Sequence, residues 1–127
     1  MNVEKGLYYT KDHEWLRVED EFAYIGITDF AQEQLGDIVY IELPEVDDEF
    51  DKDESFGSIE SVKTAADLNM PVGGVVVEAK EDLNDEPELV NSDAFENWII
   101  KIKINDEAEL EELMGDAKYE EYISEEV

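Results

Sequence analysis

Lys63 is the residue whose type and setting most clearly suit chemistry. It lies in the middle of FGSIESVKTAADLNMPVGG, Phe56–Gly74, the least acidic long run of a very acidic sequence. A lysine at an exposed turn is not desolvated, which makes it a poor catalytic base or Schiff-base former. The same amine is accessible to a modifying enzyme, and once acylated it becomes a long swinging arm. The alternative is that Lys63 only keeps a hairpin tip soluble.

No other set of residues in the sequence points to catalysis. His13 is the single histidine, and beside Trp15 we interpret it as structural or simply exposed. Ser55, Ser58 and Ser61 have no evident base. The chain has no cysteine, which excludes disulfides and thiolate metal sites, and it has no phosphate-binding glycine loop. The residues themselves therefore indicate neither a hydrolase nor a metal site.

Short strands are expected to position Lys63. FGSIESV and TAADLNMPV are strand candidates on either side of it, with a type I turn at Val62–Thr64. Gly73–Lys80 opens with a turn signal and continues as a strand. Glu45–Ser55 is polar and acidic, and we interpret it as a solvated loop or edge.

The segments before this hairpin predict two strands joined by a helix. Glu21–Thr28 alternates and Asp37–Pro44 is β-branched and ends in proline, so both are expected to be strands. Asp29–Gly36 predicts one short helix, because Asp29 and Gln32 resemble a capping box and glycine suits a helix C-terminus.

The segments after the hairpin change from strand to helix. Glu81–Asn91 is expected to be a loop with one helical turn after Pro87. Asn97–Asn105 is the clearest strand, with one face predicted to carry Trp98, Ile100, Ile102 and Ile104 and the other Lys101 and Lys103. Asp106–Gly115 and Asp116–Val127 have helical spacing. In the first segment, Asp106 and Glu109 form a capping box, and the apolar face is predicted to hold Leu110, Leu113 and Met114. In the second segment, the apolar face is predicted to hold Tyr119, Tyr122 and Ile123.

Length and composition indicate one small β domain. The chain has 127 residues, of which 43% are hydrophobic, enough for one core. We expect a single domain over residues 1–127, with its core in 8–104 and a helical cap in 105–127. Many short strands, one inserted helix and a helical end favour a mainly β sandwich or barrel.

The net charge of −28, from 37 acidic and 9 basic residues, limits the partners. Such a field repels nucleic acid and anionic lipid and favours partners with basic faces. Solubility or adaptation to high salt would also explain the charge. No apolar run approaches the roughly 18 residues of a membrane span. The start, MNVEKGLYYT, lacks a signal core, so we expect a cytoplasmic protein, or one in the mitochondrial matrix if it is a processed eukaryotic form.

Several segments, in order along nearly the whole chain, resemble the glycine cleavage system H protein family. They are YTKDHEW, IGITDFAQEQLGDIVYIELPEV, FGSIESVKTAADLNMPVGGVVVE, PELVN, WIIKIKI and ELEELMGDAKYEEYI. The most specific motif is ESVKTAAD, whose lysine carries lipoic acid in amide linkage in that family. The resemblance implies that Lys63 is the lipoyl site. It also implies a hammerhead-type, lipoyl-domain-like sandwich of two antiparallel sheets with the lysine on a hairpin turn.

The resemblance further implies a carrier that is not itself an enzyme. The lipoyl arm would receive the aminomethyl group of glycine at the pyridoxal-phosphate glycine decarboxylase (P protein) and deliver it to the tetrahydrofolate-dependent aminomethyltransferase (T protein). Dihydrolipoamide dehydrogenase (L protein) would reoxidise it, and lipoate-attaching enzymes would install it. We expect the carrier to act as a monomer.

Family members shelter the loaded arm in a surface cleft, and two acidic residues here match positions associated with it. They are Glu14 in HEW and Asp67 in KTAAD. A carboxylate can form a charge-assisted hydrogen bond with a protonated amine, which would explain an acidic residue at either position. The alternative is that both are ordinary surface carboxylates. The chain departs from the family pattern in its acidity around Asp47–Glu54 and in DAFENW, Asp93–Trp98, which puts local loop shape in doubt.

Three other functions compete with this interpretation, and the residues argue against the first two. A lipoyl domain of a 2-oxoacid dehydrogenase usually has Asp before its lysine and lacks the HEW start. A biotin carrier has methionines beside its lysine, where this chain has Val62 and Thr64. An H-like lipoyl relay protein that serves lipoate transfer to other enzymes would share the sequence features of the carrier.

The charge predicts a stability that depends on salt. Like-charge repulsion opposes compaction, and the screening length is about 10 Å at 0.1 M salt. We expect the melting temperature to rise from low to moderate sodium chloride in a thermal denaturation series. A flat or falling trend would show that local contacts or bound cations already compensate the carboxylates.

Overall fold

The computed structural model describes residues 2–125 and is mainly β, as predicted. Nine strands are described in this part of the chain. They are β1 (Tyr8–Tyr9), β2 (Glu14–Glu19), β3 (Phe22–Ile27), β4 (Ile38–Glu42), β5 (Glu49–Phe50), β6 (Ser55–Ser61), β7 (Ala65–Asn69), β8 (Gly74–Ala79) and β9 (Ile100–Ile104). The helices are α1 (Asp29–Leu35), α2 (Asp82–Asp85), α3 (Leu89–Ser92) and α4 (Asp116–Ser124), with a 3-10 helix at Glu107–Glu112.

The strands form two antiparallel sheets, which confirms the predicted sandwich. The larger sheet has the order β1-β2-β3-β9-β8-β5 and the smaller has the order β4-β6-β7. β6 and β7 are consecutive and pair from Ser55↔Asn69 to Glu60↔Ala65. This hairpin ends at Lys63, so the smaller sheet carries the residue singled out from the sequence.

The main core lies between the two sheets. The larger sheet contributes Leu16, Ile25 and Ile102, and the smaller contributes Ile41 and Ile59, all of them essentially inaccessible to solvent. Removing this apolar surface from water is the main stabilising term of such a domain.

A second, aromatic cluster lies outside the main core and involves the C-terminal helix. Its buried members include Tyr9, Trp15, Phe30, Phe95 and Tyr119. The helix predicted from Tyr119, Tyr122 and Ile123 is confirmed as α4, and Tyr119 and Ile123 are buried as expected. The end of that prediction, residues 126–127, lies outside the described residues.

The structure corrects the predicted faces of β9. Ile100, Ile102 and Ile104 are buried on one face, as expected. Trp98, however, precedes the strand and packs edge-on against Tyr24, whose ring also contacts the Lys101 ammonium. The alternation fails at Trp98 because the strand begins at Ile100.

The helix boundaries and caps are also corrected. The N-cap of α1 is Thr28, whose hydroxyl accepts from Ala31 N, while Asp29 accepts from the Gln32 amide. The segment predicted as a helix at 106–115 contains a 3-10 helix. Its Asp106 caps Ala108 N as expected, but Glu109 instead accepts from Gly73 N at 2.8 Å.

Four elements were missed by the sequence analysis. β1 and β2 were not predicted, β5 lies within the expected loop Glu45–Ser55, and α2 lies within the expected loop Glu81–Asn91. The helical turn expected after Pro87 is present as α3. None of the helices within residues 2–125 has the length and apolarity to cross a membrane.

The packing of Trp15 predicts a cost for a small change in β3. A β-carbon on Gly26 would lie 2.7 Å from the ring of Trp15, which is fully buried and donates to Ala94 O. Gly26→Ala is therefore expected to lower the free energy of unfolding by about 1–3 kcal/mol, as overpacked cores do. Urea denaturation measures it.

Gly73→Ala is the matched control. Its β-carbon would come no closer than 3.4 Å to Phe50 O, an ordinary contact, and we expect a change within about 0.5 kcal/mol. Equal losses in the two variants would show that the Trp15 contact does not set the cost.

Candidate functional site

The tip of the β6–β7 hairpin is closed by the side chain of Ser61. Its hydroxyl accepts from Lys63 N and Thr64 N, both at 3.1 Å, and Ser61 N donates to Thr64 O at 2.8 Å. Neither Val62 nor Lys63 has a positive φ, so the tip is not a primed turn. A type I turn remains the prediction. The serine therefore orders a turn that contains neither glycine nor proline.

The tip is also anchored to the junction between α1 and β4. Val62 N donates to Asp37 O at 3.0 Å, and Ile38 pairs with Ser61 at the start of β4. Gly36 has φ 78°, and a β-carbon placed there would lie 3.3 Å from Lys63 Cε. The lysine stem thus lies over a residue without a side chain, while the lysine itself is exposed.

Asn91 holds that junction with three hydrogen bonds from one amide. Its Oδ1 accepts from Ile38 N, and its Nδ2 donates to Gly36 O and Gln32 Oε1, each at 2.9 Å. Asp37, which anchors the hairpin tip, lies between the two residues whose backbone is bound. Sequence analysis did not find Asn91, because nothing in PELVN indicates its distant partners.

A cleft of about 290 Å³ lies between α1, the turn before β2 and the hairpin. Two of its polar lining residues are Glu14 and Asp67, so the structure brings together the two acidic residues predicted from the sequence. Seven of its other lining residues are apolar: Ile27, Phe30, Ala31, Leu35, Ile59, Ala66 and Leu68. The cleft therefore combines an apolar wall with the two predicted carboxylates and a third, that of Asp12.

The two carboxylates differ in environment. Asp67 is exposed, whereas Glu14 is only 3% exposed and accepts from Thr10 Oγ1 at 2.8 Å and from Asn69 N at 3.3 Å. Burial raises the pKa of Glu14 to about 7 from its ordinary value of 4.5. The charges of Asp12 and Asp53 add to this, and the two hydrogen bonds oppose it. The alternative of an ordinary surface carboxylate is therefore wrong for Glu14.

His13 lies in the wall of the cleft, which the sequence did not indicate. It is half-buried, its ring lies 4.7 Å from that of Phe30, and its Nδ1 is 2.9 Å from the Tyr119 hydroxyl. The interpretation of His13 as structural holds for these contacts. Its proximity to Tyr119 depends on a helix more than a hundred residues away, so no local signal could reveal it.

Lys52 and Lys80 differ from Lys63 in their exposure. Both are half-buried. Lys80 Nζ donates to Asn97 Oδ1 at 3.0 Å and lies over the ring of Trp98, and Lys52 lies 3.9 Å from Asp53. Lys5 and Lys118 are exposed and make better comparisons.

The residues present fit a covalently attached acyl arm. An acyl acceptor needs an accessible amine, which Lys63 provides, and an aliphatic arm needs an apolar surface within reach, which the cleft provides. The carboxylates suit an amine carried at the end of such an arm. Within residues 2–125, no group of three or more histidine, aspartate or glutamate side chains is placed to hold a metal ion.

Comparison with known proteins gives the family. A sequence profile described as Glycine cleavage H-protein matches residues 7–126. The chain belongs to this family. A glycine cleavage system H protein of Alkaliphilus oremlandii is 53% identical over 126 residues, covering 99% of both chains, and one of Halothermothrix orenii is 51% identical, covering 98% of both.

A solved structure agrees with this assignment. The crystal structure of a glycine cleavage system H protein from Mycobacterium marinum superposes with a TM-score of 0.84 at 32% identity, covering 92% of this chain and 95% of that one. The H-protein family carries a lipoyl group covalently attached to lysine. The chain is accordingly a lipoyl carrier of the glycine cleavage system and is not itself catalytic, and the alternative of a lipoyl relay is not favoured.

The buried Glu14 predicts a pH dependence of stability. The unfolded state loses the Glu14 proton near pH 4.5 and the folded state near pH 7, so the group's stabilising contribution is complete below about 4.5 and is lost as the pH rises through 7. The difference between these two pKa values corresponds to at most about 3 kcal/mol. Glu14→Gln should remove this loss, which urea denaturation of both proteins between pH 4 and about pH 8 measures.

The Glu14→Gln variant retains an oxygen acceptor for Asn69 N and differs from the wild type chiefly in the absence of the charge. A constant difference between the two unfolding free energies across this pH range would show that Glu14 titrates at its ordinary value.

Proposed function

We propose that Lys63 is the residue that carries the lipoyl group. The observation that supports this most directly is its position, an exposed amine on a hairpin tip that Ser61 and Asp37 hold in place beside an apolar cleft. Lys5 and Lys118 are also exposed, but neither lies on this hairpin, whose strand β7 contributes Asp67 and Leu68 to the cleft. A tip fixed at its root presents the amine to an acylating enzyme at little entropic cost.

The lipoyl group, when bound, supplies the disulfide that accepts the aminomethyl group of glycine. The contribution of the chain is mechanical and electrostatic. The hairpin holds the root of the arm, and the cleft between α1 and β7 receives its distal end. Ile27, Leu35 and Leu68 in the cleft wall exclude water from what is carried there.

Glu14 and Asp67 are the proposed partners of a carried amine. A protonated amine gains a charge-assisted hydrogen bond from a carboxylate, and the bond is stronger where water is excluded. Glu14 is the buried one of the pair. An approaching ammonium would stabilise its ionised form and offset the cost of ionising a buried carboxylate. Asp67, at the exposed rim, leaves the arm free to depart.

The partners are the remaining components of the glycine cleavage system. We assign them as the pyridoxal-phosphate glycine decarboxylase, the tetrahydrofolate-dependent aminomethyltransferase and dihydrolipoamide dehydrogenase, with lipoate-attaching enzymes acting earlier. The net charge of −28 supports docking to basic faces around their active sites. A monomer acting in the cytoplasm remains the prediction.

Replacement of Lys63 separates attachment from folding. Arg keeps the charge, but its guanidinium is not a usable acyl acceptor, so Lys63→Arg should abolish lipoylation and glycine-dependent transfer. Because the side chain is exposed, the free energy of unfolding should change by no more than about 0.5 kcal/mol. Each variant is co-expressed with a lipoate ligase and lipoate, then assayed by intact mass, thermal melting and glycine–bicarbonate exchange.

Lys5→Arg and Lys118→Arg are the matched controls, since both lysines are exposed but remote from the hairpin tip in sequence. Both should be lipoylated like the wild type. If Lys63→Arg still gains the lipoyl mass, another lysine is the attachment site, and if it unfolds, Lys63 is a structural residue.

A further inference from the structure

The hydroxyl of Tyr119 joins the C-terminal helix to two other segments at one point. Tyr119 is fully buried, and its ring stacks on that of Tyr9 with centroids 4.5 Å apart and planes 9° from parallel. Its hydroxyl lies 2.6 Å from Thr28 Oγ1 and 2.9 Å from His13 Nδ1. The stack fixes the ring, so the hydroxyl is held where both partners can use it.

Thr28 and His13 belong to the two segments that form one wall of the cleft. Thr28 caps α1 through Ala31 N, and its own backbone N donates to His13 O at 2.9 Å. α1 contributes Phe30 to the cleft wall, and His13 lies beside it. Tyr119 does not line the cleft, but it braces two of the segments that do.

The turn at His13 needs such bracing. His13 has φ 69°, a left-handed conformation that a residue with a side chain adopts at some cost and keeps only where surrounding contacts enforce it. His13 N donates to Thr10 O, and Thr10 N donates to Glu14 O. These two bonds connect the turn at His13 to Glu14, the residue with the buried carboxylate. A shift of the His13 ring would therefore move the residue next to Glu14.

We infer that Tyr119 is a positioning residue of the arm cleft. Through its hydroxyl it orients His13 and the start of α1, and so keeps closed the wall against which the loaded arm rests. The inference rests on the proposed function, in which the cleft shelters the carried group. Tyr119 acts through His13 and Thr28 and does not touch the arm.

Tyr119→Phe tests this because it keeps the ring that stacks on Tyr9 and removes only the hydroxyl. Tyr122→Phe is the matched control. Tyr122 is on the same helix with its ring 5.7 Å from that of His13, but its hydroxyl donates to Lys11 O, which is not part of the cleft.

The first readout uses unlipoylated protein and needs no activity. The chain has a single histidine, so a long-range proton–nitrogen NMR spectrum reports the His13 imidazole without assignment. Tyr119→Phe should change its nitrogen shifts, and Tyr122→Phe should leave them close to the wild type. An unchanged imidazole spectrum in Tyr119→Phe overturns the inference.

The second readout is the lifetime of the carried group in lipoylated protein loaded by the decarboxylase and then separated from it. Spontaneous loss, followed as formaldehyde, should be about 2- to 10-fold faster in Tyr119→Phe, the range expected for one net hydrogen bond. Tyr122→Phe should match the wild type. Equal lifetimes in Tyr119→Phe and wild type, with an altered His13 spectrum, also overturn the inference.

Two comparisons distinguish a positioning role of Tyr119 from a purely structural one. A purely structural effect lowers the melting temperatures of loaded and unloaded protein equally, whereas loss of positioning narrows the difference between them. If the wild type loses its carried group as fast as a small lipoamide conjugate, the sheltering cleft is wrong and the inference falls with it. The His13 spectrum still reports on the Tyr119 contact in that case.

Discussion

The amide of Asn91 fixes the junction from which the hairpin tip is held. It binds the backbone of Gly36 and Ile38 on either side of Asp37, and Asp37 O accepts from Val62 N. The proposed attachment to Lys63 requires an exposed amine, yet an exposed tip has few contacts of its own to order it. The order comes instead from the junction beneath it and from the Ser61 hydroxyl within it. The position of the lysine thus depends on bonds made by residues that never approach its amine.

The cleft follows from the same arrangement of two sheets. β2 belongs to the larger sheet and β7 to the smaller, and the carboxylate of Glu14 at the start of β2 accepts from Asn69 N at the end of β7. This bond crosses between the sheets and places a buried acid beside the hairpin. Burying Glu14 destabilises its ionised form, and that cost is consistent with a site that gains from an arriving cation. If Glu14 binds the carried amine as proposed, relief of this cost would favour that binding.

Much of the fold could be predicted because its strands follow simple patterns. The isoleucines of β9 alternate with lysines, and the helical spacing of Tyr119 and Ile123 identified α4. β2 was missed because Glu14, Trp15 and Leu16 are all buried. Leu16 faces the main core and Trp15 the aromatic cluster, so no polar face marks the strand. β5 has two residues and no pattern to detect.

The residues of the candidate site also differ in whether a local sequence pattern indicates them. Lys63 could be proposed because its setting and motif are local in sequence, and Glu14 and Asp67 were proposed through a family resemblance. Spacing could not have paired them, since their distance depends on how two sheets pack. The roles of Asn91, Gly36 and Tyr119 come from contacts between segments far apart in the chain. Such contacts leave no trace in a local pattern.

The central claim is that one lysine on an anchored tip is the point of attachment. Tandem mass spectrometry of proteolytic peptides, after co-expression with a lipoate ligase and lipoate, tests it most directly, because it locates the modification on the unaltered chain. We expect one lipoyl group per chain, located on Lys63. A lipoyl group on any other lysine, or an unmodified Lys63 peptide when the intact protein carries the lipoyl mass, would contradict it.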